Sequence, residues 1–377
     1  LFGGKNNMNL VNNALSCIKN EAREIIFHIR NDLTIYVLMA IFVICVSGFV
    51  HFHGYVNDVR FFAYFYILKF VVPISIVLYF IYYFFELLFR REKRPLRCYL
   101  QRIKLVFVYR AKLVSAFILL TAMSVFISSF STMKSLIPIV NMFHFDDLFH
   151  QLDLWLFNGY QPGLLVVESL VNPFYLFVIN FCYNLWFFFI WAILAYFLIA
   201  DKSTNRTTFL TSWILCWGVL GAVLAMLLSS AGPVFVEKLD PTNLTYQPLM
   251  QLLQEKHAWL VEQGWPGLYS LNTQEQLWLA YAENVEMLGS GISAMPSMHV
   301  SIAVLMALSM GAVNKFISYF LWFFAALIFI GSFTLGWHYA VDGLVSAPLT
   351  YLIWRVSLAF AERSSAMKYR AVSESYL

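Results

Sequence analysis

Residues 291–342 read GISAMPSMHVSIAVLMALSMGAVNKFISYFLWFFAALIFIGSFTLGWHYAVD, and the fold follows from this stretch. Two polar clusters, AMPSMH at 294–299 and GWHYAVDG at 336–343, bracket two apolar segments whose only charged residue is Lys315. Too little polar sequence lies between them for a soluble domain. The clusters are therefore expected to meet across a membrane helical hairpin, Ser297 and His299 on one arm and His338 and Asp342 on the other.

Working outward, the chain of 377 residues is 60% hydrophobic and only 12% charged, with a mean hydropathy of +0.69. Soluble domains carry about a quarter charged residues. The composition excludes a soluble enzyme and predicts an all-α polytopic membrane bundle. A helix needs about 20 apolar residues to cross a hydrocarbon core roughly 30 Å thick. Such runs recur eight times, over about 33–50, 62–89, 113–131, 173–200, 208–231, 298–313, 316–336 and 338–361, the sixth being short.

With eight crossings and both termini on one side, that side receives 20 of the 25 Lys and Arg residues, nine of them between Arg90 and Lys112. The other side holds only Arg60, Lys134, Lys238 and Lys256, and Lys69 falls inside a segment. Lys and Arg concentrate in short cytoplasmic loops, so the termini are expected in the cytoplasm and the polar clusters on the periplasmic, extracellular or lumenal face. The net charge of +4 then reflects topology and anionic headgroups, and no nucleic-acid partner is expected. Cys17, Cys45, Cys98, Cys182 and Cys216 lie in apolar or cytoplasmic segments and imply no disulfide framework. No cleavable signal peptide is expected, and Asn243-Leu-Thr reads as an outer-side glycosylation sequon for a eukaryotic source.

Three regions are expected. Residues 1–112 hold an amphipathic segment around Leu15, Ile18, Ile25 and Ile26, two membrane helices and a basic loop on anionic lipid. Residues 113–361 form a catalytic membrane domain with an outer-side helical cap over 232–291, and 362–377 a cytoplasmic tail. The cap reads as two helices, about 248–263 and 273–288, in a connection long enough to be a lid over a headgroup pocket. Before it, DDLFHQLDLWLF at 146–157 places Leu148, Phe149, Leu152, Trp155 and Leu156 on one helical face and Asp146, Asp147, His150, Gln151 and Asp153 on the opposite, wet face, as in an interfacial helix beside the site. His144, His150 and the aspartates lack a paired-ligand spacing, so neither a metal nor another cofactor is expected.

With this topology Ser297, His299, His338 and Asp342 lie at one membrane level, joined by Gly232 and Pro233 at the end of the fifth segment. His338 and Asp342, four apart, share a face of the eighth helix. The carboxylate can accept a hydrogen bond from one imidazole nitrogen and leave the other free as a nucleophile. His299, from another helix, can protonate a leaving oxygen. Ser297 stands at a helix N-terminus that favours an anion, most simply a phosphate. An interfacial histidine can merely satisfy backbone carbonyls, but two histidines and an aspartate at one depth favour a site.

The pair AMPSMH and GWHYAVDG resembles the second and third signature motifs of the type 2 phosphatidic acid phosphatase superfamily, a Pro-Ser-x-His and a His-x-x-x-Asp element. Similarity extends over much of 134–351. Within the superfamily, 132–159 (TMKSLIPIVNMFHFDDLFHQLDLWLFNG), 206–221 (RTTFLTSWILCWGVLG) and 229–239 (SSAGPVFVEKL) are most similar to the inositol phosphorylceramide synthases and their bacterial relatives. The resemblance implies His338 as a nucleophile forming a phosphohistidine, Asp342 as its orienter, His299 as the acid and Ser297 as a phosphoryl ligand.

The chain departs from the pattern in its cations. No arginine precedes Pro233, the lysine of the first motif falls on Ala225, and the arginine before the third-motif histidine falls on Ser332. Each missing charge-assisted bond is worth about 1.5–3 kcal/mol. Lys134 and Lys238 are the outer-side lysines that could fill the gap. The depleted set suits a diester or a diphosphate-linked lipid better than a phosphate monoester. The expected function is a membrane lipid phosphotransferase passing a phosphoryl or phospho-headgroup unit from a phospholipid-type donor to a lipid or sugar hydroxyl. A lipid-phosphate or polyprenyl-diphosphate phosphatase is the enzymatic alternative. A lipid or small-molecule transporter is the alternative of another class, disfavoured because the histidines cluster at one surface rather than near the midplane. The membrane and a lipid substrate are the partners implied, and no protein partner is indicated.

Overall fold

The computed structural model describes residues 3–55, 61–283 and 291–374, with the side chains of 3–15, 17 and 365–374 outside the description. Arg60, the end expected for the second cap helix, and the side chains of Lys5, Leu15, Cys17, Lys368 and Arg370 thus lie outside it. The described residues form helices and connections without a strand. In chain order the helices are α1 Gly3–Asn31, α2 Leu33–His53, α3 Phe65–Phe89, α4 Pro95–Val108, α5 Arg110–Val140, α6 Asp146–Leu156, α7 Pro162–Ser169, α8 Pro173–Ile199 and α9 Thr204–Leu227. A short turn of helix follows over Val236–Leu239, then α10 Gln247–Glu262, α11 Tyr269–Ala282, α12 Met298–Met310, α13 Lys315–Thr334 and α14 Ala340–Glu374.

Among the described residues seven helices are long and apolar enough to cross a membrane: α2, α3, α5, α8, α9, α13 and the first 25 residues of α14. The sixth expected span, 298–313, is the exception. α12 has 13 residues, about 20 Å at 1.5 Å per residue. Ten of the 13 are buried, so protein surrounds this helix and its length is not set by the thickness of lipid. Asn314 accepts from the amides of Phe316 and Ile317 at 2.9 and 3.2 Å, capping α13 and closing the expected hairpin. α5 runs nine residues past its expected end at 131, because Ser135 Oγ returns its bond to Ser131 O at 3.1 Å and small polar residues are accommodated in the helix. The middle of α9, Cys216–Leu224, widens into π-helical turns, which occur often at functional sites.

The chain divides into two compact units. The first comprises residues 1–53, 59–128 and 198–200. Within it Phe42 packs on Phe126 with ring centroids 4.7 Å apart, Tyr99 donates to Phe80 O at 3.2 Å, and the Arg102 guanidinium lies 4.9 Å over the Tyr83 ring. α4 buries no residue, and α1 exposes Ile18, Ile26 and Phe27, as apolar faces turned to lipid would.

The second unit comprises residues 54–58, 129–197 and 201–377. Its core is the α12–α13 hairpin packed on α9 and α14. α10 and α11 overlie α7 and α8: Lys256 Nζ donates to Leu170 O at 2.7 Å, the Ser270 amide to Asn180 Oδ1 at 3.1 Å, and Gln274 Nε2 to Leu335 O at 2.8 Å. The last bond holds the turn that carries His338.

Candidate active site

Three backbone turns meet where α12 and α14 begin and α9 and α13 end. The Ala294 amide donates to Ser230 O at 2.9 Å, the Met295 amide to Ser230 Oγ at 3.2 Å, and the Val234 amide to Gly336 O at 3.0 Å. Gly232 lies between them at φ +96°, and a Cβ there would come within 2.5 Å of Trp337 O and 3.1 Å of Ala294 Cβ. The approach of the Gly232–Pro233 turn to the two polar clusters therefore requires glycine.

Two carboxylates from α6 fasten these turns. Asp146 accepts from the amides of Ala231 and Gly232 at 2.9 Å each and from the Tyr339 hydroxyl at 2.8 Å. Asp153 accepts from the amides of Ala340 and Val341 at 2.8 and 2.9 Å, the first two residues of α14. Those amides have no intrahelical acceptor, and a carboxylate at the positive helix end satisfies them. This corrects the wet face expected for Asp146 and Asp153, which turn inward, while Asp147 and Gln151 stay exposed. Asp153 is 2% exposed, whereas Leu148 is 49% and Trp155 76% exposed. An apolar surface costs nothing against lipid, while buried backbone donors need acceptors. Phe149 alone of the expected apolar face is buried.

Burial raises the Asp153 carboxyl to about 6, opposed by the two amides it accepts from. Asp146 is raised for the same reason, opposed by Ala231, Gly232 and Tyr339. Burial lowers His150, whose Nδ1 lies 2.8 Å from the Tyr246 hydroxyl. For Asp153 the folded carboxyl holds its proton more tightly than the unfolded one. Its contribution to stability is thus full below pH about 4 and lost as pH rises through about 6, by roughly 3 kcal/mol. The melting temperature of detergent-solubilised wild type relative to Asp153→Asn is expected to fall as pH rises from 4 to 7. A constant difference over that range would contradict it.

His338 precedes α14 by two residues, so it does not share a helix face with Asp342 as expected. The contact is made across the helix start instead. His338 Nδ1 lies 2.8 Å from Ala294 O and 3.2 Å from Asp342 Oδ2, both acceptors, so Nδ1 carries the proton and Nε2 presents a lone pair. Asp342 Oδ2 also accepts from the Tyr339 amide at 3.1 Å, while Oδ1 is buried with no hydrogen-bond partner among the described residues.

The His299 ring centroid is 6.1 Å from that of His338. Tyr183 stacks on the His299 ring at 4.7 Å and 27°, and Trp186 lies 4.5 Å from it, its Nε1 donating to His299 O at 3.0 Å. Ser297 caps α12 with its Oγ 3.5 Å from the Val300 amide and is fully buried.

The two lysines separate. Lys134 lies against Gly291, at the start of the stretch that carries Ser297 and His299, its Cγ 3.0 Å from where a glycine Cβ would stand. It has no carboxylate partner among the described residues. Lys238 is turned away: it pairs with Glu275 and lies 5.6 Å over the Trp278 ring. Ser297, His299, His338, Asp342, Gly232, Pro233 and Lys134 are brought together, and Lys238 is not.

A cavity of about 200 Å³ opens beside Tyr339, walled by Asp146, Asp147, Asp240, His144, His150 and Tyr246 among others. Among the described residues no three His, Cys, Asp or Glu side chains converge as metal ligands. Sequence reasoning saw Asp146 and Asp153 but gave them to water. Their seven-residue spacing, two turns on one face, was the available signal. Tyr183 and Trp186 lie in a largely apolar run broken by Asn180 and Asn184, the polar letters that were the available signal for this part of α8.

A family model described as the PAP2 superfamily matches residues 147–356, more than half of the chain. No curated protein and no solved structure matches it.

Proposed function

The chain belongs to the PAP2 superfamily, whose chemistry acts on phosphate groups of the lipid-phosphatase kind, and from that premise we propose that it is a lipid phosphotransferase working through a phosphohistidine at His338. The observation that carries this reading is the doubly accepted Nδ1 proton of His338, which leaves Nε2 as an oriented nucleophile. Nε2 attacks phosphorus, the bond to the leaving alkoxide breaks, and His299 gives that oxygen its proton. In the second half His299 takes the proton of an acceptor hydroxyl, whose oxygen displaces His338 from phosphorus. Asp342 steadies the imidazole while it carries positive charge. Ser297 and the start of α12 receive the phosphoryl oxygens.

The cation set favours a donor with a singly charged phosphate. Lys134 is the cation we assign to it, since Glu275 takes the charge of Lys238. The carboxylate-rich cavity beside Tyr339 suits a hydroxylated or cationic headgroup rather than an anionic one. We propose in addition that the chain stands near the inositol phosphorylceramide synthase-like branch, with 113–361 as catalytic domain, and, from the concentration of Lys and Arg on the side of the termini, that the termini are cytoplasmic and the site lies on the non-cytoplasmic face.

The test is a comparison of labelled phosphodiester and phosphomonoester lipids with purified enzyme in lipid nanodiscs, with and without added lipid or sugar alcohols. Transfer from the diester supports the proposal, and rapid hydrolysis of monoesters with the diester untouched contradicts it. Lys134→Met should lower kcat/KM about 10- to 100-fold by removing one charge-assisted bond, and Lys238→Met less than about 2-fold. Equal effects of the two would remove Lys134 from the site.

A further inference from the structure

The phenol of Tyr183 has a place in the site that its hydrogen bonding in the protein does not explain. The residue is 4% exposed, and among the described residues its hydroxyl has no hydrogen-bond partner. In the interior of a membrane protein a donor without an acceptor is unfavourable, and water is scarce there. The ring cannot swing elsewhere. One face lies flat on His299, and its Cδ2 sits so close to Gly331 that a Cβ added there would stand 3.0 Å away. Across the pair of imidazoles, whose ring centroids are 6.1 Å apart, Asp342 bonds His338 through Oδ2, and among the described residues its buried Oδ1 likewise lacks a partner.

Two unpartnered buried groups therefore flank the paired imidazoles, a donor on α8 whose ring stacks on His299 and an acceptor on α14 whose carboxylate bonds His338. Gly331 adjoins Ser332, the position where the resemblance calls for arginine. A phenol against that part of α13 can offer a hydrogen bond without a positive charge.

We infer that the Tyr183 hydroxyl is a catalytic residue that donates to a non-bridging phosphoryl oxygen at His338, a neutral donor fitted to a singly charged phosphodiester. This rests on the phosphoryl-transfer reading above. The bond tightens as phosphorus becomes five-coordinate and its oxygens gain charge, while the same ring holds His299 flat for proton transfer.

The experiment uses the full chain in detergent and orthovanadate as the five-coordinate probe, with wild type, Tyr183→Phe, Tyr183→Leu and His338→Ala. Tyr183→Phe keeps the stack on His299 and removes only the hydroxyl. It is expected to bind vanadate about 10-fold more weakly, the loss of one hydrogen bond, with an unchanged or higher melting temperature because no protein bond is lost. Tyr183→Leu, which also removes the stack, is expected to lose more, and His338→Ala all specific binding. Wild-type vanadate affinity in Tyr183→Phe, with loss in His338→Ala, overturns the role of Tyr183 alone. A lowered melting temperature with unchanged affinity in Tyr183→Phe does the same, by assigning the hydroxyl to structure. Equal binding by all four proteins overturns the phosphoryl-transfer reading and this inference with it.

Discussion

His338→Ala is expected to abolish both turnover and capture of the phosphoryl group on protein, lowering the rate by at least about three orders of magnitude. A nucleophile cannot be replaced by the environment that activates it. With the imidazole gone, Ala294 O and Asp342 Oδ2 lose their shared donor, and Asp342 Oδ1 already has none. Stability is expected to fall too, by about 1–3 kcal/mol for a buried acceptor left unpaired, so the melting temperature in detergent must be followed alongside activity. The informative measurement is acid-labile, base-stable label on wild-type protein after a short pulse with a donor labelled at phosphorus, absent from the variant. Turnover by His338→Ala at the wild-type rate would refute a phosphohistidine.

Gly232→Ala should produce the second largest effect, although the side chain it adds is a single methyl group. At φ +96° and ψ 159° the backbone is in a region open essentially to glycine, and another residue there costs about 1–3 kcal/mol. The greater consequence is positional. The new Cβ would stand 2.5 Å from the carbonyl oxygen of Trp337, which precedes His338, and 3.1 Å from Ala294 Cβ, on the residue whose carbonyl accepts the His338 proton. Relief of the clash moves the supports of the imidazole by an ångström or so, and such a displacement costs about 100-fold in rate. Gly264→Ala is the matched control, with φ +79° but nothing within 4 Å of the new Cβ. It shares the positive φ without the displacement and should keep wild-type activity. Equal losses in both variants would mean that strain, not geometry, accounts for Gly232.

Both effects depend on contacts that the sequence shows only in part. The two polar clusters, the hairpin between them and the arrival of Gly232-Pro233 at the same level were legible because ionisable residues are rare in apolar runs and stand out against them. The side of α6 that faces inward was not legible. A hydrophobic stripe marks the buried face when the surroundings are water, and that rule fails where apolar side chains rest against lipid and carboxylates turn in to reach backbone amides. Lys134 and Lys238 were indistinguishable as letters, since the partner that occupies Lys238, Glu275, lies 37 residues away.

What the sequence by itself determined is the class, a membrane helical bundle whose His, His, Asp and Ser residues stand in two polar clusters, because hydropathy and the scarcity of charge are additive along a chain. What the tertiary structure decided is which groups touch. The His338 tautomer comes from the carbonyl of Ala294, 44 residues before it, and the start of α14 is capped by Asp153, 187 residues before Ala340. The ring that holds His299 flat comes from α8. These are short-range forces between distant parts of the chain, acting over about 3 Å and set by closure of the bundle rather than by local pattern.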